Sequence, residues 1–251
     1  MKRPIFKRIT KLTLAAGVFS FFMFSSVNPS IGKKTTANPV AVKAVTSNAV
    51  LYQNLKLDSL GLSQEAFNYA MRGMQRLEQA GRLSNTDLIS IVDFSLPSSK
   101  KRLFVIDLKN SKVLFNTLVS HGRNSGTAVA TEFSNAPESF KSSLGFFVTG
   151  ETYKGEHGYS LRLQGEEQGI NDNALSRGIV MHSAAYVNDK LAAIQGYIGR
   201  SLGCPAVPEK LHKLIIEQIR NGTCLFLYSP DKYYMAHSKM LTEPTTDTTI
   251  A

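Results

Sequence analysis

At 251 residues, 43% hydrophobic and 19% charged, the chain has enough apolar content for one main globular domain, which excludes disorder throughout. Its formal charge of +10 gathers at one end: the first 50 residues hold eight of the 29 basic residues and no acid, which leaves the remainder 21 basic against 19 acidic. A body so near neutrality, without a basic stripe, excludes nucleic acid as a partner.

Residues 1–30, "MKRPIFKRITKLTLAAGVFSFFMFSSVNPS", run from a positive segment through an apolar stretch, Leu12 to Phe24, into small and polar residues. This is the layout of a secretory signal peptide. The apolar run falls short of the roughly 20 residues that span a bilayer, so cleavage is expected, with an uncleaved membrane tether as the alternative. Export to the periplasm or cell envelope follows from either. Residues 31–50, rich in Thr, Ala, Val and Pro without a helical period, read as a flexible linker. Outside the cytosol a disulfide is permitted, and the two cysteines, Cys204 and Cys224, are the minimum for one.

The folded part is expected over residues 51–230, with a helical N-terminal portion at 51–84. In "LSQEAFNYAMRGMQRLEQAGRL", Ala66, Phe67, Ala70, Met71, Met74 and Leu77 recur at spacings of three and four. That spacing predicts an amphipathic helix with Ser63 as N-cap, Gly81 as its stop, and the apolar stripe turned to the core. The period then changes. "DLISIVDF", "RLFVIDL" and "KVLFNTLVS" read as strands, the last two joined as a hairpin by Lys109, Asn110 and Ser111. Further extended runs follow at "LGFFVTG", "YSLRLQG", "GIVMHS" and "TCLFLY". The fold class is therefore mainly β with flanking helices, a β-sandwich or barrel with the N-terminal helix packed on it. Two later helices are expected, one near Asp189 to Gln195 and one from Pro208 to Arg220, with Gly222 past its end. Residues 231–251 read as a flexible tail.

The chemistry concentrates in "GRSLGCPAVP". Pro205 drives Cys204 out of the helical region and offers no N–H. Gly203 lets the backbone bend just before the thiol, which exposes it and lets the Gly203 and Cys204 amides converge as an oxyanion hole. A thiolate nucleophile needs a base, and His182 ends the apolar run "GIVMH" at the rim of the sheet. His121 and His157 occupy glycine-bounded loops, while His212 and His237 fall on the late helix and in the tail. Without an H-E-x-x-H or paired C-x-x-C pattern no metal or other cofactor is expected. Cys224, in the apolar strand "TCLFLY", reads as an inert core residue.

Papain-like enzymes place cysteine before histidine, and caspases use a different cysteine context. Histidine first, then S-x-G-C after a short helix-bearing connection, is instead similar to YkuD-type L,D-transpeptidases. "VDFSLPSSKKRLFVIDL", "NTLVSHGRNSG", "LGFFVTGETYKGEHGYSLRL", "IVMHSAAYV" and "GRSLGCPAV" more closely resemble the divergent murein L,D-transpeptidase catalytic family, from about Leu51 to Tyr228. The chain departs from the wider superfamily at Leu202, which replaces a histidine, at Ala206, which replaces an arginine, and at Ser183, which replaces a glycine.

The resemblance implies peptidoglycan stem peptides as partner. It implies Cys204 as nucleophile on the bond before D-Ala, His182 as base and then acid, oxyanion donors at Gly203 and Cys204, and Ser201 orienting the loop or the imidazole. Arg200 is the candidate for the cation missing at position 206, and His157 and Tyr159 are the other candidate substrate contacts. An amine acceptor would give a crosslink. The alternatives are an L,D-carboxypeptidase or amidase on the same stems, or a non-catalytic wall-binding module stapled by a Cys204–Cys224 disulfide.

Overall fold

The computed structural model describes residues 39–242, with side chains from residue 47 onward. The signal or tether at 1–30, the first part of the linker and the last residues of the tail lie outside the described residues. Among those described, no helix is long and apolar enough to cross a membrane.

Helix α1 spans Pro39–Asn54, so the expected linker is helical from residue 39. Pro39 suits the first helical turn, where its missing N–H is not needed. Apolar residues are spread around this helix rather than gathered on one face, and a flat pattern of that kind hides a helix from sequence reading. Tyr52 anchors the end of α1: it is buried, donates to Leu62 O at 2.5 Å, and packs against Phe67.

Helix α2, Gln64–Gln79, follows the expected pattern. The Ser63 hydroxyl accepts from Ala66 N at 3.1 Å, satisfying one orphan amide of the first turn. Ala66, Phe67, Ala70, Met74 and Leu77 are buried as expected, and Gly73 joins them. A Cβ at Gly73 would stand 2.0 Å from Phe146 Cζ. The absent side chain thus lets α2 lie directly on the ring, an approach that offsets the roughly 1 kcal/mol that glycine costs inside a helix.

The sheet contains β1 (Leu88–Asp93), β2 (Leu103–Asp107), β3 (Lys112–Thr117), β4 (Gly145–Gly155), β5 (Gly158–Gly165), β6 (Val180–Ser183), β7 (Ala206–Val207) and β8 (Cys224–Tyr228). Their order is β3-β2-β1-β8-β4-β5-β6-β7. Pairing is antiparallel except for β1 with β8 and β6 with β7. β1 and β8 are buried throughout, which explains their continuous apolar sequence: both faces are covered. In the β2–β3 hairpin, Asp107 accepts from Asn110 N and from its Nδ2, both at 2.8 Å.

Helix α3, Asp189–Gln195, and helix α4, Glu209–Ile219, fall where expected, with Pro208 immediately before the second. A further helix, α5, covers Lys232–His237. This corrects the expectation of a flexible tail from 231. Tyr234, Ser238 and Leu241 are all buried, and the buried Glu167 carboxylate accepts from the Tyr234 and Ser238 hydroxyls. Two polar ends and two apolar residues fasten a segment whose composition alone looks loose.

The main core is joined by a small second one made of Leu118, Ala184, Val187, Ala192, Ile198 and Ala206. It lies beneath α3 and carries both ends of the segment that holds Cys204. The cysteine loop therefore stands on packed side chains.

Candidate active site

Residues 199–207 are clamped between two extended segments. On one side β7 pairs in parallel with β6, His182 opposite Ala206 and Ser183 opposite Val207. On the other, Ser120 N donates to Ala206 O at 2.8 Å, and Ser201 N donates to His121 O at 2.9 Å. Arg123 N completes that side with a 2.8 Å bond to Ser201 O. The loop holding the thiol is thus tied at Ser201 and again at Ala206.

Within it, the Ser201 hydroxyl donates to Cys204 O at 2.6 Å and accepts from Gly203 N at 3.1 Å. Ser201 therefore orients the loop and makes no bond to His182. The second bond also corrects the expected oxyanion pair, because the Gly203 amide is spent inside the loop. The Cys204 amide keeps no hydrogen-bond partner among the described residues. Gly203 is required for geometry: its φ is +125°, and a Cβ there would stand 2.9 Å from Lys141 O and 3.1 Å from Ile179 Cδ1.

The thiol lies against the residues leading into β6. Val180 N donates to Sγ at 3.5 Å, and the thiol faces Gly178 O at 3.7 Å. Burial pushes the Cys204 thiol up, while the Val180 N–H and the Arg177 guanidinium pull it back down. Cys224, wholly buried in β8, is raised by burial far beyond any useful ionisation. Both cysteines are free, so the disulfide of the wall-binding alternative is not formed here.

His182 is buried at the end of β6, and its Nδ1 lies 2.8 Å from Ser183 O. A carbonyl only accepts, so Nδ1 carries the proton and Nε2 presents a lone pair. Burial lowers the affinity of His182 for a second proton, the Ser183 bond raises it, and nearby His157 lowers it further. The exposed His157 stacks on His182 with ring centroids 4.3 Å apart. The two histidines share a cavity of ≈ 300 Å³, whose wall also includes Ser183, Tyr186 and Glu209. No hydrogen bond joins Cys204 to His182 among the described residues.

The remaining candidates separate. Arg200 is exposed and donates to Arg123 O at 3.2 Å and Gly126 O at 3.1 Å, which places its cation on the flank beside His121. Tyr159 donates to Glu217 of α4, so its hydroxyl is committed to a helix. His121 is buried, accepts from Arg102 Nη2 at 2.7 Å on Nδ1, and donates from Nε2 to Gly126 O at 3.1 Å. Burial and the neighbouring Arg102 push His121 down to about 4. It acts as a neutral brace for the extended segment that holds Ser201.

Sequence reading missed two residues. Arg177 lies against the cysteine loop, its Nη2 3.5 Å from the position a Gly203 Cβ would take, and its charge favours the ionised Cys204 thiol; Tyr186 lines the cavity shared by the two histidines. Arg177 stands in a polar loop 27 positions before the thiol, where no spacing rule points to it. Tyr186 carries only the faint signal of an aromatic four residues past the histidine.

The chain is similar to known proteins. A family model described as L,D-transpeptidase catalytic domain matches residues 58–228. No curated protein matches. Among solved structures, an L,D-transpeptidase from Mycobacterium smegmatis is 14% identical with a TM-score of 0.36, covering 57% of this chain and 59% of its own. The helical cell shape determining protein from Campylobacter jejuni is 14% identical, TM-score 0.41, covering 64% of this chain and 57% of its own. An L,D-transpeptidase from Xylanimonas cellulosilytica is 16% identical, TM-score 0.32, with coverages of 72% and 93%. The chain spans about three fifths of the length of the mycobacterial enzymes it matches.

Proposed function

This chain belongs to the L,D-transpeptidase catalytic domain family, and on that premise we propose that it is an exported enzyme that crosslinks peptidoglycan stem peptides through a thioester on Cys204. The thiol passes its proton to His182 Nε2 as sulfur attacks the carbonyl of the L-centre to D-Ala bond. The tetrahedral oxyanion is met by the Cys204 N–H. Collapse breaks the C–N bond, and the proton held on His182 goes to the departing D-Ala amine. An amine from a second stem then attacks the thioester, His182 takes its proton, and sulfur leaves to recover the thiol.

The observation that supports this reading is that β7, the strand just after Cys204, pairs with β6 at His182. Cys204 lies two residues before β7, His182 is the penultimate residue of the neighbouring β6, and the imidazole has Nδ1 committed to Ser183 O so that Nε2 is the base. His157, stacked over that base at the cavity wall, is the substrate contact this reading favours. Arg200 and Tyr159 are occupied elsewhere. Incubation with a tetrapeptide stem should add the mass of the stem less D-Ala to the intact protein, on the peptide containing Cys204. An adduct on another residue, or none under single-turnover conditions with turnover present, would overturn the assignment.

A further inference from the structure

The thiol's setting includes one charge that the reaction scheme above does not use. Arg177, Gly178, Ile179 and Val180 form the surface on which Cys204 rests, through Gly178 O and Val180 N. The guanidinium at the head of this segment comes close to the cysteine loop: its Nη2 lies 3.5 Å from the place a Cβ on Gly203 would occupy. It is held there by four bonds. Nη1 donates to Ser134 O at 2.7 Å and Ser143 Oγ at 2.5 Å, and Nη2 to Ser139 Oγ at 3.1 Å and Lys141 O at 2.8 Å.

All four acceptors are neutral, and no ion pair among the described residues includes Arg177. Such bonds orient the cation and disperse its charge without cancelling it, so a half-buried guanidinium is left without a counter-anion. With both Nη hydrogens of each nitrogen committed, those atoms act on sulfur through charge. Two other titratable residues of the surrounding segments supply no free cation. Tyr186 is a phenol that burial keeps protonated, and the Lys141 ammonium is paired with Glu132 at 2.5 Å.

We propose that Arg177 is the positioning cation of the nucleophile, stabilising the Cys204 thiolate as its proton leaves for His182. The thiolate is then the missing counter-anion, present only while sulfur is charged and withdrawn once the thioester forms. The direction of the electrostatic coupling agrees: Arg177 favours ionised Cys204 against burial, and Cys204 favours charged Arg177. This rests on Cys204 being the nucleophile. A competing role, a staple for residues 134–143 and nothing more, would depend on the shape of the fork and not on its charge.

Charge and shape separate in the pH profile of Cys204 alkylation by iodoacetamide, followed site by site by peptide mass spectrometry in wild type, Arg177→Lys and Arg177→Met. Loss of the cation should slow Cys204 alkylation near pH 7 on the order of tenfold or more and carry the profile to higher pH. Lysine should stay within about threefold of wild type because the charge remains. A Met profile that superimposes on wild type would overturn the proposal, and equal slowing in both variants would assign Arg177 to loop architecture. Should the Met protein not fold, Arg177→Gln, neutral but still a donor of two hydrogens, makes the same comparison. Crosslinking that survives in Cys204→Ala would instead remove the nucleophile assignment, whatever the alkylation profiles show.

Discussion

Ser201→Ala removes one oxygen and leaves two backbone groups without partners. The hydroxyl gives 2.6 Å to Cys204 O and takes 3.1 Å from Gly203 N, and both Ser201 and Gly203 are buried. Each net bond is worth about 1 kcal/mol, and a buried amide left unpaired adds about 1 kcal/mol or more. The expected total is about 3 kcal/mol, a fall in Tm of roughly 6–12 °C for a domain of this size. Thioester formation on a stem peptide should slow by about tenfold or more, because the loop no longer holds sulfur in its attacking position. Ser201→Thr, which keeps the oxygen, should recover most of both.

The pH dependence gives the sharper discrimination. Ser201 makes no bond to His182, so the acid limb of kcat/KM should not move in Ser201→Ala. Single-turnover acylation by quenched flow, across pH 5 to 8, reads rate and limb together. A Tm within about 1 °C of wild type would refute the loop role, and a displaced acid limb would place Ser201 on the imidazole instead.

His182→Ala should retain the fold and lose roughly 10²- to 10⁴-fold in turnover, the usual reach of a general base. Burial and His157 favour neutral His182, so kcat/KM should rise with pH through a midpoint below the ordinary imidazole value; His157→Ala relieves both effects and should move that midpoint upward in a pH–rate series. Gly203→Ala must accommodate a side chain at φ +125° against Lys141 O and Ile179, and should lose on the order of 1–3 kcal/mol in chemical denaturation along with most stem-peptide acylation. Tyr234→Ala removes a buried ring and should cost about 3 kcal/mol by the same denaturation assay, whereas a loosely attached tail would show no change.

Much of the fold is legible because its signals are local. The Ser63 cap, the apolar stripe of α2, the Lys109 to Ser111 turn and the boundaries of α3 each lie within a few consecutive residues and need no partner to be read. β7 is two residues long, too short for any alternation, and exists only because β6 and Ser120 bond it from both sides. α5 is invisible for the same reason: Glu167, 67 positions before Tyr234, supplies the acceptor that fixes it.

The site divides in the same way. Pro205, Gly203 and the histidine-before-cysteine order point to Cys204 and His182 directly from the chain. The fate of the Gly203 amide depends on which way Ser201 Oγ turns, and the choice between Arg200 and Arg177 as neighbour of the thiol depends on how the 134–143 segment folds against Gly203. Both arginines stand in polar loops of similar composition. Only three-dimensional placement sends one toward Gly126 O and the other onto the 134–143 segment beside Gly203.

The central claim is that Cys204 carries out acyl transfer between stem peptides, and mass analysis of muropeptides tests it most directly. Purified tetrapeptide muropeptides are incubated with the wild-type protein or with Cys204→Ala. Wild type should yield dimers whose mass equals two monomers less one D-Ala, with free D-Ala released in equal amount, and Cys204→Ala should yield neither. Dimers formed equally well by Cys204→Ala, or an inert wild-type protein that folds and binds the same stems, would contradict it.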